Sequence, residues 1–305
     1  MRLEGIHHIT AITGDAPGNV DFYTRVLGLR MVKKTVNQDD PTVYHLFYAD
    51  ERGSAGSDLT FFEYPGAQPG RAGRGMVHRI VWRVGSDALS FWAERLAGED
   101  VAVDRTQSRP PGALRFRDPE GLEHELIVDA SGDDPLMAEH PEVPAEHSLR
   151  GFDGVRAYAE DPEASRSLLE RGLEFKPAED GWEARGEARG GFYAYDPPPE
   201  ATGIQGAGTV HHVAWASVPE EQEEWRERVL RSGGRPTPVI DRFYFRSVYF
   251  REPSGVLFEL ATIGPGFAVD EPQESLGQRL SLPPDYEHLR AQIEATVTPL
   301  PPTRS

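Results

Sequence analysis

The chain has 305 residues, 38% of them hydrophobic, a net charge of -18 and no cysteine. It is long enough to bury a full core, and the missing cysteines exclude disulfides, thiolate metal ligands and a cysteine nucleophile, so any metal must be held by nitrogen and oxygen. The acidic charge opposes nucleic acid and anionic membranes as partners, no run of about 18 apolar residues is present, and MRLEGIHHIT lacks a signal pattern; these features read as a soluble cytoplasmic protein.

From the N-terminus, GIHHITAI predicts an apolar strand carrying the pair His7-His8, followed by a helical stretch at 20–27 and the strand GLRMVKKT. VHRIVW, starting at Val77, opens a second unit with the amphipathic helix SDALSFWAERLAG and the run FRDPEGLEHEL. The Pro- and acid-rich segment 129–146 reads as a linker. GFDGVRAY, a helical stretch at 161–171 and GLEFKPAE form a third unit. A fourth comprises VHHVAWAS with His211-His212, the helix PEEQEEWRERVLRSGG and FREPSGVLFEL. Past about residue 265 the chain becomes irregular, with helical character at 285–296 and a Pro-rich end, PLPPTRS, expected to be disordered.

Two of these units match residue by residue. VHRIVW and VHHVAW share three of six positions, including the tryptophan, and FRDPEGLEHEL runs parallel to FREPSGVLFEL, placing Glu125 and Glu259 in one slot. The chain is therefore read as an α+β protein of four βαβββ modules, near 4–66, 75–130, 150–198 and 208–264. They form two incomplete-barrel domains, 1–135 and 146–270, with an extension at 271–305.

Two histidines and one carboxylate make the ligand set of a mononuclear iron(II) site that leaves positions free for substrate and O2. Paired βαβββ modules of this kind resemble the vicinal oxygen chelate superfamily. Residues 5–62, VHHVAWAS, the DRFYFRSVYFREPSGVLFELAT block and GFAVDEPQESLG resemble, more closely, the hydroquinone-type ring-cleaving dioxygenases. That resemblance covers nearly the whole chain. It implies iron(II), with Mn(II) compatible by ligand preference, held by His8, His212 and Glu259.

The superfamily resemblance also implies ligand slots on the first and last strands of each module. Module one offers His8 and, by aligning SDLTFF with FELATI, Asp58. Module two offers Arg79 and Glu125, module three Gly154 and roughly Tyr195, and module four His212 and Glu259. Pairing modules in chain order would put Arg79 beside one metal. Pairing module one with module four collects the favourable ligands in one cavity, which is the arrangement expected; whether this happens within one chain or across a homo-oligomer the sequence leaves open. Strand alternation places His8 with Ile6 and Thr10, and His212 with Val210 and Ala214, whereas His211 falls with Val213 and Trp215 on the opposite face.

A single histidine in a strand is more often packed or solvent-facing than a ligand; His45, His78, His124 and His288 are read that way. Around the expected metal, Tyr249 could hydrogen-bond a metal-bound oxygen, Arg242 resembles the family's active-site arginine, and His7, Thr10 and His211 match further positions of the family next to the ligands. The implied reaction is Fe(II)-dependent cleavage by O2 of a hydroquinone-like, substituted or unsubstituted aromatic, with a catechol as another candidate. Two rivals stand beside it. A glyoxalase-like isomerase usually needs a fourth ligand acting as base, and a non-catalytic small-molecule binding protein needs a cavity but no metal.

Overall fold

A computed structural model describes residues 1–105 and 112–303. Module one runs β1 (Ile6–Thr13), α1 (Ala16–Asp21), β2 (Arg30–Asn37), β3 (Asp40–Ala49) and β4 (Asp58–Glu63). Its helix starts where the Asp15 side chain accepts from the Gly18 amide. It continues as a π-helical stretch, Phe22–Val26, and Gly28 then takes the left-handed φ of 72° that turns the chain into β2. Module two contributes β5 (Val77–Val84), α2 (Ala88–Gly98), β6 (Leu114–Arg117) and β7 (Glu123–Val128). Among the described residues only two strands follow α2; Asp104 adds an isolated bridge to Arg115 where a further strand is expected.

Module three has β8 (Phe152–Tyr158), short 3-10 and π-helical turns in place of a regular helix, then β9 (Lys176–Ala178), β10 (Gly181–Arg185) and β11 (Gly190–Asp196). Module four has β12 (Val210–Ser217), α3 (Gln222–Arg231), β13 (Ile240–Asp241), β14 (Arg246–Arg251) and β15 (Leu257–Thr262).

These strands make two curled sheets, each a half-barrel. One has the order β13-β14-β15-β12-β1-β4-β3-β2, the other β6-β7-β5-β8-β11-β10-β9. At the middle of the first, β1 and β12 pair antiparallel although about 200 residues separate them; β5 and β8 do the same in the second. Modules one and four thus share one sheet and modules two and three the other, so the stretches 1–135 and 146–270 each supply one module to both.

The outward faces of the central strands carry the apolar core. Trp82, Trp92, Trp215 and Trp225 are all fully buried, and Trp215 packs against Phe175 and Phe258. A second apolar group, including Val32, Phe47, Ala214, Phe245, Ala261 and Phe267, is separate from that core and lines the inside of the first half-barrel. Two layers of side chains therefore sit on opposite sides of β1 and β12, and β1 is buried at every position.

The C-terminal extension crosses the open side of this half-barrel. Lys33 on β2, fully buried, forms ion pairs with Asp270, at 2.7 Å, and with Glu271; the Tyr244 hydroxyl also donates to Asp270, at 3.0 Å. Farther on, α4 (Arg290–Thr296) buries Ile293 against Val36 and Leu282, so the helical stretch expected at 285–296 covers the β2–β3 hairpin. Just before the end expected to be disordered, Val297 packs on the main core and Thr298 donates to Glu63 at 2.7 Å; within that end, Leu300 also packs on the core. Proline content marks this stretch as non-helical but says nothing about apolar docking. Residues 304–305 lie outside the described residues. No helix among the described residues is long and apolar enough to cross a membrane.

Replacing Lys33 with methionine keeps the length of the stem but removes the buried cation that pairs with the buried Glu271 and the partly exposed Asp270. Removing one partner of a buried pair costs about 3–5 kcal/mol, so urea unfolding of Lys33→Met is expected to show a loss of that order. A loss below about 1 kcal/mol, as for a surface pair, would show that the extension is not anchored here.

Candidate metal centre

The pairing of β1 with β12 builds the site. Its register places His8 opposite Ala214 and Thr10 opposite His212, a mirrored arrangement in which each strand contributes one histidine. Beside them, β12 runs parallel to β15 with Ala214 opposite Glu259. The three side chains consequently converge. His8 Nε2 lies 3.2 Å from Glu259 Oε2, His212 Nε2 2.9 Å from the same oxygen, and the two Nε2 atoms are 3.2 Å apart. All three residues are buried, and they are the one group of potential metal ligands found among the described residues.

Strand alternation assigns His211 to the opposite face, and here the structure departs from that expectation. The β1·β12 register shifts twice, between Ile6 and His8 and between Thr10 and Ala11, leaving His7 and His211 each as the extra residue of a bulge. A bulge bends the strand and re-aims its side chain. Both histidines are thereby brought onto their neighbours: His7 Nδ1 is 3.0 Å from His8 Nδ1, and His211 Nδ1 is 2.8 Å from His212 Nδ1.

These contacts have a chemical consequence for His8. The Thr262 carbonyl, 3.2 Å from His7 Nε2, can only accept, so His7 Nε2 carries a proton. Burial, reinforced by His8, lowers the His7 pKa to about 3, so the ring is neutral and its Nδ1 is an acceptor. His8 Nδ1 then donates to it, which leaves the His8 Nε2 lone pair directed at Glu259. Neither Glu259 oxygen accepts a hydrogen bond of normal geometry. A lone pair and a carboxylate oxygen 3.2 Å apart require a cation between them, and the donor set of two imidazoles and one carboxylate suits a divalent metal.

Other expected residues surround this point. Thr10 Oγ lies 3.1 Å from His212 Nε2. Tyr249 is paired with Glu259 across β14·β15, its ring perpendicular to His212 at 5.8 Å; burial raises its phenol above the ordinary range, so it stays protonated. The Arg242 guanidinium lies 5.5 Å from the centre of the Tyr249 ring and makes a two-pronged pair with Asp39, both bonds at 3.0 Å. Arg242 therefore joins the β2–β3 hairpin to the site.

Asp58 does not occupy the slot that mirrors Glu259. Because His8 corresponds to His212 and Thr10 to Ala214, the mirror of the Ala214–Glu259 pair is Thr10–Thr60. A two-residue slip keeps a side chain on the same face of a strand, so alternation could not distinguish Asp58 from Thr60. Asp58 is buried without a hydrogen-bond partner, and burial, with Asp50, raises its pKa well above the usual value. By the same register the module-three slot falls on Ala194, next to the expected Tyr195. Sequence reasoning also overlooked Phe245, whose ring lies 5.2 Å from His7 and 5.1 Å from His8. Phe245, His7, Tyr244 and Phe267 line a cavity of about 470 Å³, which reaches the two rings packed on His8 but is lined by none of the three triad residues.

This fold and centre identify a class: the chain belongs to the glyoxalase/bleomycin resistance protein/dioxygenase superfamily, whose profile matches residues 5–126 and 151–260. Among individual relatives, it is 41% identical to the "Putative ring-cleaving dioxygenase MhqA" of Bacillus subtilis (strain 168), over 98% of this chain and 100% of that one. It is 32% identical to the chlorohydroquinone/hydroquinone 1,2-dioxygenase of Sphingobium indicum, over 97% of this chain and 96% of that one. The crystal structure of a "putative dioxygenase" from Bacillus subtilis subsp. subtilis str. 168 superposes with a TM-score of 0.91 at 38% identity, covering 100% of this chain and 99% of that one.

Asp58 supplies a test of the burial within this half-barrel. The native state holds its proton to higher pH than the unfolded chain does, so stability falls as pH rises from the unfolded value of about 4. Asn is isosteric with the protonated acid and removes the effect. With chelator present, the Tm of Asp58→Asn minus that of the parent is expected to be near zero at pH 4 and positive at pH 7.5. The same difference at both pH values would overturn it.

Proposed function

We propose that this protein is a ring-cleaving dioxygenase that opens a hydroquinone-like aromatic with O2 at an iron(II) ion held by His8, His212 and Glu259. The observation that carries the reading is the convergence of two imidazole nitrogens and one carboxylate oxygen within 3.2 Å of one another, in a buried pocket. Three protein ligands leave positions open for both substrates, and among relatives that match the chain over nearly its full length one is named a "putative ring-cleaving dioxygenase" and another a chlorohydroquinone/hydroquinone 1,2-dioxygenase. A bound iron(II) supplies what the side chains lack, a means of activating O2 toward a spin-paired aromatic ring.

The chain's own residues hold the reactants and their protons. His7 keeps His8 in the tautomer that points Nε2 inward, and His211 makes the equivalent contact with His212. Tyr249, protonated and next to Glu259, donates a proton at its phenolic oxygen. Arg242 provides a permanent positive charge for an anionic ring. A cavity that reaches His7 and Phe245, the two rings packed against His8, has the size for a small aromatic. A glyoxalase-like isomerisation would call for a carboxylate base in the slot that Thr60 fills.

Anaerobic reconstitution with iron(II) or manganese(II), followed by metal analysis and an oxygen electrode, tests the reading. The expected result is about one metal ion per chain and O2 uptake dependent on added hydroquinone. In His212→Ala both metal content and O2 uptake should drop at least tenfold. Turnover of a hemithioacetal without O2 would sink the proposal, and full metal occupancy in His212→Ala would remove the site.

A further inference from the structure

The two modules that share the first half-barrel are related by a pseudo-two-fold axis, yet their ligand faces differ. In module four, Ala214 pairs with Glu259 and Glu259 with Tyr249; in module one, Thr10 pairs with Thr60 and Thr60 with Phe47. The same register makes His45, opposite Phe62, the counterpart of Ser247, opposite Ala261. Where one half carries a carboxylate, the other thus carries a hydroxyl with an imidazole behind it.

Those groups form a continuous chain of hydrogen bonds. His45 Nε2 lies 2.9 Å from Thr60 Oγ, Thr60 Oγ 2.8 Å from Thr10 Oγ, and Thr10 Oγ 3.1 Å from His212 Nε2. Both threonines are fully buried. The His45 ring is held between Phe47, at 4.0 Å, and Phe62, at 4.4 Å, so its position is set by packing.

We propose that Thr60 and His45 are positioning residues that hold open a fourth place at the metal centre: the slot a carboxylate would fill is reserved for an oxygen of the substrate, which the Thr10 hydroxyl receives. The inference rests on the ring-cleavage reading and deepens it. A donor order follows from the groups. His45 Nε2–H donates to Thr60, and Thr60 O–H donates to Thr10. Once a metal engages the His212 Nε2 lone pair, the Thr10 O–H has no protein acceptor left along this chain and turns to the bound molecule. A hydroxylated or phenolate oxygen accepts it, whereas an unsubstituted ring position does not, so the relay selects aromatics that present oxygen at the metal. Linked hydrogen bonds polarise one another, so loss of either His45 or Thr60 weakens the same final donor.

The test uses the full chain loaded with Co(II), with hydroquinone titrated in the absence of O2 and followed by visible absorption. Thr60→Val and His45→Phe keep the shape of each side chain and should retain the parental Co(II) content while weakening hydroquinone binding about tenfold, the effect of one lost hydrogen bond. Because both act through one donor, the double variant should bind no more weakly than the worse single variant. Thr60→Glu should restore the mirror of Glu259, retain Co(II) longer against a chelator, change its absorption, and no longer respond to hydroquinone. Parental binding in both single variants, losses that multiply in the double variant, or a Thr60→Glu protein that binds hydroquinone as the parent does would each overturn the proposal. The two readings fail separately. A parent that binds hydroquinone at its metal but consumes no O2 defeats ring cleavage alone. A parent that cleaves hydroquinone with Thr60→Val its equal in binding defeats this inference alone.

Discussion

The antiparallel pairing of β1 with β12 is the constraint on which the rest of the structure depends. It closes a loop of about 200 residues, an entropic cost that grows only slowly with loop length, and it does so between strands buried on both faces. One face of each strand joins the tryptophan-rich core and the other lines the half-barrel, so a slip in register would expose core residues and scatter the ligands together. The same hydrogen bonds that hold the sheet thus fix the distance between His8 and His212. Glu259 follows from the parallel pairing of β15 with β12. The bulges at His7 and His211 are symmetric about this junction, and each brings a neighbouring imidazole to the back of an inward-pointing histidine.

The second half-barrel shows what the same architecture becomes without a metal triad. At the corresponding positions stand Arg79, Glu125, Gly154 and Ala194. Arg79 bonds Glu125 at 3.2 Å and also pairs with Glu123, while Arg115 lies 3.3 Å from Glu125. The positive charge that a buried carboxylate needs is here supplied by guanidinium groups of the chain itself. The bulge persists at His78, but that imidazole is turned to Asp196 and stacked on Tyr158, where it serves packing. Geometry is shared between the two sheets; charge partners distinguish them.

Much of the four-module fold was legible because its repeats share unusual residues, the tryptophans after VHR and VHH and the FR-[DE]-P turns, in the same order. His8, His212 and Glu259 were legible as a chemically coherent set once the resemblance supplied ligand slots, and the structure brings these three side chains together. Less visible were features that depend on register. Nothing in IHHITAIT announces that its first histidine is an inserted residue, so alternation misplaced His211. Asp58 and Thr60 share a face, and only the pairing of Thr10 with Thr60 separates them. The bond from Thr298 to Glu63 and the anchoring of Asp270 by Lys33 are contacts between residues more than 200 positions apart, with no periodic pattern to betray them.

The swapped pairing of modules also has a consequence for biosynthesis. The two modules that build the centre are the first and the last to leave the ribosome. The strand bearing His8 must wait with an unpaired edge, a risk for misassociation, while modules two and three are made and can complete their own sheet. Glu259 arrives after all of them. A chain cut short anywhere before β15 contains repeats resembling those of the fourth module, but it lacks the triad, so the centre can form only once all four modules have been made.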